Sequence, residues 1–284
     1  PLCVLRFKWW AAWRRRILLP SLTLLLTSLL AFLLPLVLAG CFFPGEAERL
    51  PPPGLQVSPI REIATPFTHR AGPEGSFPFS GAAVLDVEGD GHWELFVGGG
   101  PGQPDALLTY REGAMVALDA SAVSSLSATY GVTADDLDRD GDTDLVVARN
   151  DGVTLYLNDG RGGFKARALP LALPPQSVPL GVAPSDFDRD GQTDLYVSAF
   201  VHPAWYASAS YNDPSHAKPN RLLRNTGGLI FEDVTEKTGA AGLQNTFASA
   251  WADLDDDGWP DLVLSQNTGQ VELLRNEGGQ HFKR

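Results

Sequence analysis

Short apolar runs recur along the chain after residue 80, and each follows directly on an acidic stretch. They occupy residues 95–97, 145–147, 195–197 and 262–264, where the sequence reads LFV, LVV, LYV and LVL. Such runs are rich in β-branched and aromatic residues and are too short for helices. Further along each unit, runs such as residues 153–157 (VTLYL) alternate apolar and polar positions beside turn signals such as Asn150-Asp151-Gly152. The pattern predicts strands, about four of them in each unit.

The acidic stretch before each run is a repeated ten-residue segment. Its four copies read DVEGDGHWEL at 86–95, DLDRDGDTDL at 136–145, DFDRDGQTDL at 186–195 and DLDDDGWPDL at 253–262. Every copy has a carboxylate at positions 1, 3, 5 and 9 and a glycine at position 6. The first residues of the copies are 50, 50 and 67 residues apart, and a period of this size indicates a repeat architecture.

Carboxylates packed this closely repel one another unless a cation lies between them. Calcium suits the segment, because it takes roughly six to eight oxygen ligands in a flexible shell, whereas magnesium keeps several waters and needs few protein carboxylates. Glycine at position 6 allows the sharp turn, and the carbonyl at position 7 would add another oxygen. The predicted calcium ligands are Asp86, Glu88, Asp90 and Glu94 in the first copy, Asp136, Asp138, Asp140, Asp142 and Asp144 in the second, Asp186, Asp188, Asp190 and Asp194 in the third, and Asp253, Asp255, Asp257 and Asp261 in the fourth.

Position 12 separates the segment from an EF-hand, which needs a bidentate glutamate there. The four residues at this position are Val97, Val147, Val197 and Leu264. The segment is therefore predicted to join two strands. A metal-free acidic surface turn is the alternative interpretation, and the recurrence of one spacing in four copies favours calcium.

The first forty residues have a different character. A basic start that ends in three arginines at 14–16 is followed by an uncharged apolar stretch at 17–40 and by Cys41. This order is typical of an export signal, and the sequence LAGC at 38–41 resembles the lipobox of bacterial lipoproteins. The resemblance implies that residues 1–40 are a signal peptide and that Cys41 carries lipid, which would anchor the protein to a membrane of the cell envelope. An uncleaved membrane anchor and simple secretion are the alternatives.

Residues 41–56 are rich in proline and glycine and are predicted to form a tether. The repeat domain is predicted to span residues 57–284, with residues 60–67 as a candidate strand of an atypical first unit. From Cys41 onward the chain has 17 basic and 34 acidic residues, and no other cysteine. An internal disulfide is therefore excluded, so stability must come from packing and metal. The lack of a basic stripe argues against nucleic acid as a partner.

Four strands in each unit of about 50 residues are typical of a β-propeller blade. The predicted blades span about 80–130, 131–180, 181–247 and 248–284. A β-sandwich has a similar number of strands, but it does not require one loop to recur in every unit. The predicted fold is all-β, a propeller of four-stranded blades with calcium loops.

Two segments resemble known repeat families. Residues 250–262 (AWADLDDDGWPDL) match the small-residue lead-in, acidic loop and apolar strand of FG-GAP/VCBS repeats in integrin-α-like propellers. Residues 221–235 (RLLRNTGGLIFEDVT) are similar to a segment of ASPIC/UnbV and cartilage-acidic-protein relatives. The resemblance covers about residues 80–284 and implies structural calcium at the blade rim. It also implies a ring of seven blades, so the four visible blades are predicted to be a fragment, with a closed four-bladed ring as the alternative.

The longest spacing between copies holds a surplus of residues at about 201–220, between the second and third strands of the third unit. This insertion contains Trp205, Tyr206 and Tyr211. Exposed aromatic side chains can stack on sugars or anchor a protein partner, whereas packing of the insertion on its own blade is the structural alternative. The predicted partner is a protein or a glycan at the cell surface.

Motifs for catalysis are lacking, since the sequence has no G-x-S-x-G, no H-E-x-x-H and no cysteine nucleophile in a recognisable setting. The predicted function is therefore a calcium-binding, envelope-anchored module for binding, adhesion or scaffolding. A carbohydrate-active propeller of the lyase or glycosidase type, or a module attached to such an enzyme, is the alternative, because catalytic carboxylate pairs can be remote in sequence.

Overall fold

The computed structural model describes residues 62–73, 76–205, 218–242 and 244–284. These residues belong to one compact unit, Glu62–Arg284. The predicted signal peptide, the predicted lipidation site Cys41 and the predicted tether lie outside the described residues, as do Tyr206 and Tyr211. Within the part of the chain that is described, no helix is both long and apolar enough to cross a membrane.

The described residues form sixteen strands. The first sheet contains β1 (Ala82–Leu85), β2 (Glu94–Val97), β3 (Ala106–Arg111) and β4 (Ala114–Leu118), and the second contains β5 (Thr129–Asp135), β6 (Asp144–Arg149), β7 (Gly152–Asn158) and β8 (Phe164–Ala168). The third sheet contains β9 (Ser177–Ser185), β10 (Asp194–Val201), β11 (Arg221–Asn225) and β12 (Phe231–Asp233), and the fourth contains β13 (Thr246–Ala252), β14 (Asp261–Gln266), β15 (Val271–Glu277) and β16 (His281–Lys283). A 3-10 turn at Pro203–Trp205 and a single helical turn, α1 (Thr235–Thr238), complete the elements.

Each sheet is an antiparallel meander in which strands adjacent in sequence are adjacent in space. The acidic segment always joins the first strand of a sheet to the second, and the residue at position 9 opens the second strand. The prediction of an all-β fold made of four-stranded blades is confirmed. The predicted connection of strand, acidic loop and strand is confirmed in all four blades.

The blades stack face to face through apolar clusters. Leu85 and Phe96 of the first blade pack in one cluster with Leu145 and Val147 of the second. Equivalent clusters join the second blade to the third and the third to the fourth. The second strands of the middle blades, β6 and β10, are buried along their whole length, because both of their faces meet a neighbouring blade.

A fourth cluster lies where the first strands of the blades begin. Phe77, which precedes β1, packs edge to face against Tyr130 of β5 and Phe200 of β10, with ring centroids 5.7 and 5.5 Å apart. Phe79 contacts Phe247 of β13 at 5.9 Å. The segment before the first strand therefore links all four blades at this end of the strands.

The first strands begin earlier than the sequence boundaries indicate. β5, β9 and β13 start at residues 129, 177 and 246, in place of 131, 181 and 248. Each pairing with the second strand contains a register shift near its start, which interrupts the alternation that sequence reading relies on. Residues 62–67 form no strand, so the expected strand at 60–67 is wrong there. They are mostly exposed, and Pro66 has no backbone N–H to donate to a neighbouring strand.

Candidate metal centres

The acidic loops share one backbone path. The residue at position 4 has a left-handed conformation in every copy, and so does the glycine at position 6. The position-4 residues are Gly89 (φ 65°), Arg139 (64°), Arg189 (57°) and Asp256 (59°). In each loop the N–H of the position-6 glycine donates to Oδ2 of the position-1 aspartate at 2.8–3.1 Å. The turn therefore folds back on its own first carboxylate, and a side chain at position 6 would strain it.

Carboxylates from positions 1, 3 and 9 converge in three of the four loops. One oxygen from each residue lies within 4.8 Å of the other two in these groups. The groups are Asp136, Asp138 and Asp144; Asp186, Asp188 and Asp194; and Asp253, Asp255 and Asp261. Three oxygens at this spacing could hold a metal ion. In the described structure the first loop, with Glu88 and Glu94, forms no such group.

The position-1 aspartates differ in the hydrogen bonding of one carboxylate oxygen, Oδ1. Oδ1 of Asp136 and Oδ1 of Asp186 are buried and have no hydrogen-bond partner. In the first and fourth loops the same oxygen accepts the N–H of the position-5 residue at 3.1 Å. A buried carboxylate oxygen without a partner is costly. A cation placed among positions 1, 3 and 9 of each of these loops would satisfy its unpaired oxygen, so the second and third loops fit a metal ion best.

The position-9 carboxylate is part of the fold as well as of the acidic group. Oδ2 of Asp144 accepts the N–H of Leu137 at 2.9 Å, and its Oδ1 accepts the N–H of Asn158 at 2.8 Å. Asp194 and Asp261 have the same two bonds in their blades. Burial raises the pKa of Asp144 to about 6 and that of Asp194 to about 7, although the backbone hydrogen bonds oppose the shift. A nearby cation would favour the charged form of both groups.

Three asparagines at the ends of the third strands complete the loops. Asn158, Asn225 and Asn276 are buried at the ends of the third strands. The side-chain amide of each donates to the position-8 carbonyl of its own loop at 3.0–3.2 Å and accepts a glycine N–H of the following turn at 2.8–3.2 Å. The only sequence signal is the recurrence of asparagine at the same place in three units. The first blade has Tyr110 at the register of these asparagines, and the preceding Thr109 donates to Oε1 of Glu94 at 3.0 Å.

Turns of one blade cover the acidic loop of the blade before it. The amide of Asn276 donates to the carbonyl of Phe187 at 2.9 Å, and the N–H of Gly162 donates to the carbonyl of Val87 at 3.2 Å. The position-2 side chains in the first three loops are consequently buried. The first three loops therefore lie in interfaces between blades, not on isolated hairpins.

The predicted ligands at positions 5 and 7 have other contacts. The position-5 carboxylates, Asp90, Asp140, Asp190 and Asp257, accept the N–H of position 7 at 2.9–3.0 Å and lie outside the three-residue groups. Asp142 at position 7 lies against the turn at Gly160, where an added Cβ would be 2.4 Å from its Oδ1. Neither position is brought together with positions 1, 3 and 9.

Two arginines that the sequence reasoning did not single out reach the loops of the third and fourth blades. Arg224 pairs through Nη2 with Asp190 at 2.8 Å and through Nε with Asp188. Arg275 pairs through Nη2 with Asp257 at 3.2 Å and through Nε with Asp255. These contacts join positions 3 and 5 of each loop, and the partners are too remote in sequence for any local pattern to indicate them.

The opposite ends of the strands carry the predicted ligand-binding insertion. Trp205 is 62% exposed at the end of the 3-10 turn. The preceding residues of that turn, with His202, Tyr130 and Asn150, line an open cavity of about 610 Å³. The hydroxyl of Tyr130 donates to Oδ1 of Asn150 at 2.9 Å, and burial raises the pKa of Tyr130 to about 12, so the phenol stays protonated. The cavity combines aromatic and polar surface.

Comparison with known proteins gives a family match within the repeat region. A model described as an FG-GAP-like repeat matches the chain twice, at residues 86–147 and 136–197. Each match starts at one acidic loop and ends in the strand that follows the next acidic loop. No curated protein matches the chain.

Two solved structures are similar to the chain at low identity. The Vibrio cholerae biofilm matrix protein Bap1 has 16% identity and a TM-score of 0.37, over 68% of this chain and 30% of that one. An Agrocybe aegerita lectin that specifically recognises non-reducing terminal N-acetylglucosamine has 14% identity and a TM-score of 0.34, over 72% of this chain and 65% of that one. The chain therefore spans less than two thirds of either structure.

Proposed function

Because this chain carries FG-GAP-like repeats over residues 86–197, we propose that it is a calcium-stabilised β-propeller that acts as a binding, adhesion or scaffold module. Blades that are rigid and metal-bound hold loops at the strand ends in fixed positions, and binding residues are often found on such loops. The FG-GAP-like repeats support a binding module of this kind. The identity of its partner is a separate proposal.

The unpaired, buried Oδ1 atoms of Asp136 and Asp186 are the observation that carries the calcium proposal. Positions 1, 3 and 9 would supply side-chain oxygens, and position 7 would supply its carbonyl. The carboxylate at position 5 would enter the shell directly or through water, as is common in calcium loops. The ion would supply positive charge to a group of acidic side chains that otherwise repel one another. Calcium fits better than magnesium, because the donors are all oxygens and several are protein carboxylates.

Thermal unfolding of residues 42–284 in calcium and in EGTA tests the proposal. Binding to the folded state alone adds about 2.7 kcal/mol for each site when free calcium is a hundredfold above Kd. The Tm should therefore rise strongly in calcium and much less in magnesium at the same concentration. A Tm that EGTA leaves unchanged would refute the structural role of the metal.

A matched pair of variants assigns the site. Asp136→Asn removes charge from the unpaired carboxylate and should eliminate one calcium in isothermal titration calorimetry. Asp142→Asn removes charge from the same loop at a side chain that lies outside the three-residue group, and it should keep the stoichiometry. Loss of a site in both variants would show that the loop responds to its total charge and not to the geometry of positions 1, 3 and 9.

The ligand-binding part of the proposal concerns the end of the strands away from the acidic loops. Trp205 is exposed there beside a cavity with aromatic and polar lining, which suits a glycan or a protein side chain. Trp205→Ala should weaken binding to a ligand identified on a glycan array or by capture from envelope extracts. Leu254→Ala, at an exposed apolar side chain on the fourth blade, is the control that should leave it unchanged.

A lipid on Cys41 at the cell envelope remains a proposal from the sequence. Expression in a bacterial host with an alkyne-labelled fatty acid should label the full chain, and Cys41→Ser should abolish the label and release the protein from the membrane fraction. Labelling that survives Cys41→Ser would contradict the assignment.

A further inference from the structure

The acidic loops differ in how their negative charge is balanced by the protein itself. In the third and fourth blades an arginine bridges positions 3 and 5, with Arg224 on Asp188 and Asp190 and Arg275 on two equivalent carboxylates. Among the described residues, no lysine, arginine or histidine forms an ion pair with an acidic side chain of the second loop. The first loop has one such contact, between His92 and Asp90 at 3.2 Å.

The two arginines occupy the same place in their blades. Arg224 follows Leu223, which pairs across the ladder with Leu195 at position 10 of its loop, and Arg275 follows Leu274, which pairs with Leu262. In the second blade the equivalent residue is Leu157, next to Tyr156, which pairs with Leu145. Leu157 is partly buried against the apolar cluster between the second and third blades. The first blade has Thr109 at this place, which donates to Glu94.

Arginine at this register can therefore do in part what a metal ion does. Its planar fork binds two carboxylates at once and keeps them together. It also places a positive charge beside the loop, which opposes the arrival of a second cation. Asp188 and Asp255 each pair with arginine through Oδ2, while Oδ1 of each accepts the N–H of the position-5 residue at 3.3 Å. Both carboxylates still belong to the three-residue groups, so the arginine adds charge beside a candidate metal site without removing its carboxylates.

We propose that Arg224 and Arg275 are built-in counter-ions that lower the calcium affinity of the third and fourth loops and keep those loops folded without calcium. The second loop shares a buried, unpaired position-1 oxygen with the third loop, but it has five aspartates and no arginine partner, and it is then the calcium site of highest affinity. This inference rests on the proposed calcium function. It divides loops of nearly identical sequence into arginine-balanced loops and a calcium-dependent loop.

Arg224→Leu and its reciprocal, Leu157→Arg, test the inference in the chain spanning residues 42–284. Arg224→Leu should tighten one class of calcium sites in isothermal titration calorimetry by roughly tenfold, the size expected for a unit charge and a divalent ion a few ångströms apart in a water-like medium. It should also lower the Tm in EGTA and restore it in calcium. Leu157→Arg should weaken the tightest class by a similar factor and reduce the rise in Tm that calcium produces.

Terbium luminescence reports on the fourth loop separately. Trp259 stands at position 7 of that loop, close enough to sensitise a bound lanthanide, and Trp259→Phe identifies its share of the emission. Arg275→Leu should shift the terbium titration of this signal to lower concentration by roughly tenfold. Arg275→Lys keeps the charge and loses the fork, so it should stay near the wild-type affinity.

The outcomes separate this inference from the function on which it rests. If calcium changes neither the Tm nor the calorimetric signal of the wild-type chain, the proposed function itself fails. If calcium binds but Arg224→Leu and Arg275→Leu leave every affinity unchanged, the counter-ion inference is overturned and the calcium function stands. Equal losses of Tm in calcium and in EGTA would show that the arginines are only packing residues, which also overturns it. Because Leu157 is partly buried, a Leu157→Arg chain that fails to fold is set aside, and the two arginine variants decide.

Discussion

The position-2 side chain of the acidic loop offers a direct measurement of how the blades stack. Val87, Leu137 and Phe187 are 4%, 2% and 1% exposed, because each faces the next blade, whereas Leu254 at the same position of the fourth loop is 53% exposed. Leu137→Ala and Leu254→Ala therefore make the same chemical change in the same local sequence. They differ only in whether another blade covers the side chain.

The structure gives the expected difference in the free energy of unfolding between the two variants. Leu137 belongs to the cluster that joins the second and third blades, together with Val146, Leu155 and Leu223. Truncation of a fully buried leucine costs about 2–5 kcal/mol, because a cavity is added to the lost transfer free energy. A cost of about 3 kcal/mol is expected for Leu137→Ala. The exposed Leu254 should cost less than about 1 kcal/mol, since surface substitutions rarely exceed that.

Thermal and urea unfolding in saturating calcium measure both values. For a domain of this size, 1 kcal/mol corresponds to roughly 2–4 °C in Tm, so Leu137→Ala should lower the Tm by about 6–12 °C. The measurement is repeated in EGTA, because Leu137 lies between two proposed ligands and an indirect loss of calcium would disappear there. Equal costs for the two variants would refute the described stacking, or show that another surface covers Leu254.

Three further predictions follow from the loops and from the interface between blades. Asp144→Asn should cost about 1–3 kcal/mol even in EGTA, because an amide offers one acceptor oxygen to two backbone N–H groups, whereas Asp136→Asn should cost stability only in calcium. Burial raises the pKa of Asp194 to about 7, so the folded calcium-free protein binds a proton at this carboxylate more tightly than the unfolded chain does. The Tm of the protein in EGTA should therefore fall as the pH rises from about 4 through 7. Calorimetry near pH 7 in buffers of different ionisation enthalpy should show that calcium binding releases this proton. Nη2 of Arg149 lies 2.7 Å from the buried carboxylate of Asp105. Arg149→Met leaves that carboxylate without its counter-charge and should lower the free energy of unfolding, measured by denaturant titration, by about 3–5 kcal/mol. The double variant Arg149→Met, Asp105→Leu should recover part of that loss.

The blade architecture could be predicted because it depends on local signals. The acidic segment gives the turn, the apolar run gives the second strand, and turn signals such as Asn150-Asp151-Gly152 separate the second strand from the third. All of these lie within a few residues of the feature that they determine. The start of the first strand could not be located, because it depends on contacts between blades. Gly131 of β5 lies so close to Leu180 of β9 that an added Cβ would be 2.3 Å from its carbonyl oxygen.

The sequence predicted which acidic residues belong to the candidate sites, but it predicted only in part which of their side chains converge. The repeated carboxylates at positions 1, 3 and 9 were identified because their spacing is constant. The sequence could not distinguish position 5, which accepts the N–H of position 7, from the converging ligand candidates. It also did not reveal Arg224 or Asn276, because a turn asparagine and a strand arginine look the same whether they face solvent or a loop remote in sequence.

Burial by the following blade connects the metal proposal to the fold. The loops with an unpaired position-1 oxygen are the second and third, and both have a following blade that covers them. The fourth loop has no following blade among the described residues, and there Oδ1 of Asp253 accepts the N–H of Asp257 at 3.1 Å. In the second and third loops, packing of the next blade leaves a buried position-1 oxygen without a partner, which a cation would satisfy. The first loop is also covered, but there Oδ1 of Asp86 accepts the N–H of Asp90 at 3.1 Å. An ion bound there would stabilise the contact between two blades. The calcium dependence of stability should therefore follow the two loops that are covered and unpaired at position 1, the second and the third, more closely than the number of acidic segments.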